Sequence, residues 1–237
     1  MKNSVTETFN IDVPIFAFSH CRDVVAAVSK AGGFGVLGAV GHSPDALEID
    51  LKWIEDEVGE HPYGVDLIVP AKYEGSDEGG LTVHKIADMI PDAHHEYVTQ
   101  ILEKYDVPEL AETKSGQFSM KNDGAAPMSA GTAGPQLEIA LAHNPSLVVN
   151  ALGPPPQFMI DRVKEAGRKV GALAGKAQHA ERHVNAGVDL IIAQGYEAGG
   201  HTGEIGSMVL IPEIVDAVGD VPVLGAGGIG RGRQMAA

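Results

Sequence analysis

Cysteine is almost missing from this chain. Cys21 stands alone among 237 residues, so no disulfide can close within the chain, which suits a reducing cytoplasm. Basic residues are scarce too: 17 Lys and Arg face 32 Asp and Glu, for a formal net charge of -15. Nucleic-acid binding draws on clustered Lys and Arg, and this balance argues against it. Aromatic residues make up only 5%. No apolar run approaches the ~18 to 20 residues of a membrane-spanning helix, and the opening "MKNSVTETFN" lacks the apolar core of a signal peptide. The expectation is a soluble, cytoplasmic protein with no membrane or nucleic-acid partner.

What the chain does have is apolar mass and glycine: 44% hydrophobic residues and 30 glycines. That is enough for one sizeable core, and we read 1–237 as a single domain. Short apolar runs alternate with helical stretches. Strands are expected at 14–18, 34–40, 63–70, 145–153, 169–175, 188–195 and 221–228. Helices are expected at 21–32, 43–59, 91–105, 135–144, 155–167, 176–187 and near 208–218, with another starting at "RGRQMAA". Ser43 reads as an N-cap, Pro44 as the first helical residue and Gly59 as the end of the second helix. The strands are continuous apolar runs, as parallel strands covered on both faces are. The pattern fits an α/β fold, either a (β/α)8 TIM barrel or a doubly wound sheet. Since a barrel needs eight strands and the sequence stops after the seventh, the barrel reading makes it a truncated barrel.

Residues 71–130 interrupt the rhythm. They hold one plausible helix, 91–105, in a Gly-, Ser-, Asp- and Lys-rich stretch. An insertion after the third strand would lie on the active-site face, as a lid or as a plain loop.

Two glycine segments follow strands. "GAGGIGRG" (225–232) comes straight after the seventh and opens a helix. Such a segment lets backbone N–H groups approach an anion, with the helix dipole in support. In barrels a phosphate often sits at this position; the bland alternative is a glycine-rich turn. "QGYEAGGHTG" (194–203) ends the sixth strand with two glycines and His201. Glu197, four residues before that histidine, either orients the loop or the imidazole, or is a solvated rim residue.

Together with "PIFAF…AVSKAGGFGVLGA" near the start, these segments resemble, in order and spacing, the nitronate monooxygenase (2-nitropropane dioxygenase-like) family. The resemblance covers about 14–70 and 145–237. It implies a (β/α)8 barrel, non-covalent FMN and a catalytic histidine base at His201. It places Ala17 and Phe18 against the flavin ring, although many members have Pro-Met after that alanine and this chain has Phe18-Ser19. Asp66 falls where many members have asparagine. Asn150 and Gln194 fall on the flavin-side rim, Gly199 and Gly200 at backbone contacts, and Gly227 and Gly228 at the phosphate loop.

Among ten histidines, His84, His94, His95, His143, His179 and His183 read as solvent-facing. His179 and His183, spaced i, i+4, read as a polar face, and no metal is expected. His20 follows the first strand and is either a substrate-pocket residue or a helix start. An imidazole changes charge near neutral pH, so it can take a proton from a nitroalkane or pair with a nitronate anion. The implied reaction is FMN-dependent oxidation of alkyl nitronates by O2. Two alternatives stay open: an NAD(P)H-dependent FMN reductase of an enoyl thioester or quinone, and a non-catalytic binder of a phosphorylated ligand. Homo-oligomerisation is not readable.

Overall fold

The computed structural model describes residues 2–69, 81–108 and 129–236. Seven parallel strands form one sheet in chain order: β1 Phe16–Ser19, β2 Phe34–Gly38, β3 Tyr63–Leu67, β4 Leu147–Asn150, β5 Lys169–Ala174, β6 Leu190–Gln194 and β7 Val223–Ala226. Each pairs in parallel with the next. A doubly wound sheet would reverse its strand order at a switch point. Here the order never reverses, so the doubly wound alternative is excluded and the topology is that of a (β/α) barrel.

The helices are α1 Ser4–Phe9, α2 Arg22–Lys30, α3 Pro44–Val58, α4 Val83–Asp88, α5 Asp92–Lys104, α6 Ala130–Ala142, α7 Gln157–Glu165, α8 Ala177–Ala186, α9 Ser207–Val218 and α10 Gly232–Ala236. The caps explain several bounds. Ser43 accepts the Ala46 N–H and Gly59 ends α3 at φ +59°, as the sequence leads one to expect. Pro135 does not begin its helix. Ser129 and Thr132 form a capping box that starts α6 at Ala130, and Pro135 lies inside.

Side chains alternate across the sheet. Leu37, Val65, Leu67, Val148, Val170, Ala172, Ile191 and Ala193 face the helices in the larger core. Phe34, Val36, Leu147, Val149 and Leu190 face the concave side. There α1, absent from the sequence reading, closes the end where the strands begin. Its Val5 and Phe9 join this inner cluster with Ile11, and Phe9 meets the Phe16 and Phe34 rings edge-on at 5.5 and 5.0 Å. Asn3 and Thr6 hold α1 by a capping box. Residues of β1 and β7 line one cavity at the opposite end, so the sheet curls.

Of the segment 71–130, residues 71–80 and 109–128 lie outside the described residues. Between them the expected helix 91–105 is α5, and α4 precedes it, capped by Thr82. No residue of α5 is buried. Among the described residues no helix is long and apolar enough to cross a membrane.

Candidate active site

The loop between β6 and α9 starts as a tight junction. Gly195 donates its N–H to the Ala226 carbonyl at the end of β7. A Cβ on Gly195 would lie 2.1 Å from the Ser207 hydroxyl oxygen, so no larger residue fits without displacement. The Glu197 carboxylate then accepts two hydrogen bonds of 2.8 Å, from the Ser207 N–H and the Ser207 hydroxyl. The hydroxyl oxygen is also 3.1 Å from the Gly227 carbonyl. Glu197 thereby holds the N-terminus of α9, where a negative charge is favoured. The Ser207 N–H bond is the main reason its carboxyl stays below the usual range. Of the two roles left open for Glu197, the structure gives it that of loop anchor. With both flanks fixed, Gly199, Gly200 (φ +74°) and His201 form the exposed crest.

This crest overhangs a cavity of about 680 Å³ at the C-terminal ends of the strands. Its walls are mostly apolar, with Phe18, Val149, Leu173, Ile192 and Leu224 prominent. Among the described residues that line it, the polar side chains are Asp66, Gln194 and His201. His201 makes no hydrogen bond with the described residues. Asp66 is 8% exposed, and its Oδ1 is buried with no partner among the described residues. Burial pushes its carboxyl up to about 8, because a low-dielectric site disfavours the charged form.

Phe18, Asp66, Gln194, Gly199, Gly200 and His201 thus share one cavity, while five other residues named from sequence do not line it. Ala17 lies between Phe16 and Phe18 on β1 and by alternation faces the helices. The His20 Nδ1 donates to the Gly38 carbonyl at 3.0 Å, and its ring meets Phe18 edge-on at 5.1 Å. Asn150 is fully buried: its Oδ1 accepts the Val69 N–H, and its Nδ2 reaches the Leu152 and Gly153 carbonyls. It braces the rim between β3 and β4. Gly227 and Gly228, at φ +118° and +71°, pack against Ser207 and Glu197. Beside them, Gln234 accepts the Gly230 N–H and donates to the Gly228 carbonyl.

Ser207 and Gln234 were not singled out from sequence. Ser207 carried a legible signal, a serine opening an apolar helical run. Gln234 carried none. Two histidines expected at the surface are not there. His183 is buried, its Nε2 donating to the Leu173 carbonyl, so the i, i+4 pair with His179 is not one polar face. The His143 ring bonds to both Glu55 and Glu48, and only 10% of its side chain is exposed. Desolvation opposes the charged form of each partner there. The His143–Glu55 hydrogen bond prevails, raising the His143 pKa and lowering that of Glu55.

The comparisons with known proteins bear on this geometry. The family model for nitronate monooxygenase matches residues 2–237. The Mycobacterium tuberculosis (strain ATCC 25618 / H37Rv) protein Rv1533 is 51% identical over the whole chain, which spans 62% of that protein. A Staphylococcus saprophyticus protein carrying a nitronate monooxygenase name is 30% identical, and the chain spans 64% of it. The chain therefore spans somewhat less than two thirds of the relatives it matches. Among solved structures, nitroalkane oxidase from Streptomyces ansochromogenes is similar, with a TM-score of 0.71 and 26% identity over 99% of this chain and 63% of that one. FabK from Thermotoga maritima shares the fold, with a TM-score of 0.69 and 24% identity over 100% of this chain and 57% of that one. The chain belongs to the nitronate monooxygenase family.

Proposed function

We propose that the rim cavity is an FMN site and that the whole protein uses it to oxidise nitroalkanes, by way of their alkyl nitronates, with O2, His201 serving as the base that takes the nitroalkane's α-proton. One observation carries this reading. In a chain of the nitronate monooxygenase family, His201 and the Gly199–Gly200 backbone line a mostly apolar cavity at the strand ends, with Asp66 and Gln194.

The residues present fit the group. A flat ring system asks for apolar walls and a few polar atoms at its edges. Phe18, Leu173, Ile192 and Leu224 give the walls, and Gln194, Asp66 and His201 the polar groups. The orphaned Asp66 Oδ1 is a place for a polar ring atom. Gly227 and Gly228 would hold the phosphate. When bound, FMN supplies the electron transfer from substrate to O2. The chain's own residues do the rest. The apolar walls exclude water and strengthen the electrostatics of the polar groups. Neutral His201 takes the proton from the carbon next to a nitro group, and protonated His201 pairs with the nitronate anion.

Anaerobic mixing of the FMN-loaded protein with an alkyl nitronate, and separately with NADH, tests the reading. Bleaching of the flavin absorbance by nitronate alone is the expected result. Bleaching by NADH with none by nitronate would transfer the site to reductases. Protein that takes up no FMN would defeat the cofactor assignment.

A further inference from the structure

Asp66 is the one carboxyl on the cavity wall among the described residues, and its surroundings constrain it tightly. On β3 it stands in register between Gly38 of β2 and Val149 of β4. The space that a side chain at Gly38 would fill is taken by the Phe18 and His20 rings, 2.6 and 2.7 Å from where that Cβ would lie. No Lys or Arg lines the cavity among the described residues. Among the described residues, His201 is the other titratable side chain lining the cavity, and His20 stands beside Gly38. His20 has its Nδ1 committed to the Gly38 carbonyl, and His201 hangs from the loop after β6. β4, β5 and β7 contribute Val149, Leu173 and Leu224, and Ala151 follows β4. α2, α3, α6, α7, α8 and α9 pack on the other face, and α1 lies at the far end of this one.

Among the described residues an ionised carboxylate in such a place has no paired cation, and its Oδ1 receives no hydrogen bond from them. Burying a charge in that way costs more than holding the proton. A neutral carboxyl has one O–H to give, and the cavity is where an acceptor for it can come.

We infer that Asp66 enters the cavity as a neutral acid and donates its proton to an acceptor on the bound flavin, a ring carbonyl or unprotonated ring nitrogen, so that flavin uptake is coupled to protonation of this one carboxyl. The inference rests on the reading of the cavity as a flavin site. Its consequence is directional. Affinity is full while Asp66 holds its proton and falls as pH rises through its titration. Asparagine has nearly the same shape and offers an N–H at every pH, so Asp66→Asn removes the coupling and keeps a donor.

The experiment measures the FMN dissociation constant of the full chain by fluorescence quenching between pH 6 and pH 9.5, for wild type and Asp66→Asn. The titration of FMN itself is common to both proteins, so the ratio of the two constants reports the change at Asp66. Wild-type affinity should weaken about tenfold relative to Asp66→Asn between pH 7 and pH 9. Superimposable pH profiles would overturn the inference and leave the flavin site standing. No FMN uptake by either protein at any pH would overturn both.

A second readout needs no variant. The infrared carboxylic-acid band of wild type should titrate at higher pH with FMN bound than without. An unchanged or lowered midpoint contradicts the inference even if Asp66→Asn folds poorly.

Discussion

Gly227 at the end of β7 has no freedom to be anything else. Its φ is +118°, which L side chains rarely adopt. An added Cβ would fall 2.8 Å from the Ser207 hydroxyl oxygen and 3.2 Å from both the Ala198 nitrogen and the Gly195 oxygen. Two of those neighbours are backbone atoms, which cannot rotate away. Gly227→Ala should therefore lower the unfolding free energy by about 1–3 kcal/mol, read from denaturant midpoints. Gly199→Ala is the contrast. Nothing lies within 4 Å of the corresponding position there, so the change should stay within ~0.5 kcal/mol. The sequence gives both residues the same letter and the same kind of motif. It shows that the rim is glycine-rich, not which glycine the packing requires. Asp66 is a similar case. Its place at the end of an apolar run is legible, but the apolar surroundings that the described residues give it come from several strands that only the fold brings together.

Elements are held by polar pins as well as by apolar faces, and the pins set the pH response. His183 fixes α8 to β5 through the Leu173 carbonyl. Burial is the main reason its pKa is lowered, and the Leu173 bond only partly opposes that. The unfolded chain therefore takes up a proton near the ordinary value of ~6.5 while the folded one resists. The stability His183 gives is complete above that pH and is lost as pH falls below it. In urea melts between pH 7.5 and 5, the His183 contribution to wild-type stability should be lost no faster than one proton allows, about 1.4 kcal/mol per pH unit. His183→Gln keeps an N–H for the carbonyl and does not titrate, so its curve should be flatter by that contribution. A parallel pair of curves would mean that His183 is not the buried neutral group described. His143 has the opposite sign: its raised pKa gives stability that is present at low pH and lost as pH rises, so the comparison is made as a difference from wild type.

Helix and strand periodicity made most elements readable, since runs such as 63–70 and 188–195 are continuous and apolar. The exceptions have physical reasons. α1 spans only six residues, too few for a period, and its role is to close the barrel end. α6 begins at a capping box upstream of a proline that looked like a start. His183 counts as polar in any pattern, yet it sits under a strand carbonyl.

At the scale of the molecule, strand order and curl place the site. β1 and β7 each pair on one side within the sheet. Both reach the same cavity, through Phe18 from one and Leu224 from the other. The alternation of apolar runs and helices made this topology legible as one of two choices, and the unbroken strand order settled it. The gathering of Phe18, Asp66, Gln194 and His201 around one space was not legible from spacing. It depends on the curl and on the anchoring of the β6 loop by Glu197 and Ser207. The measurement that bears most directly on the proposed role of this cavity is oxygen uptake with a neutral nitroalkane, whose α-proton the base must remove. It compares wild type with His201→Ala at matched FMN content, determined by acid release of the flavin. The activity of His201→Ala should fall ~100-fold or more while its flavin content stays unchanged. Undiminished oxygen uptake by the flavin-loaded variant would contradict the assignment of His201 as the base.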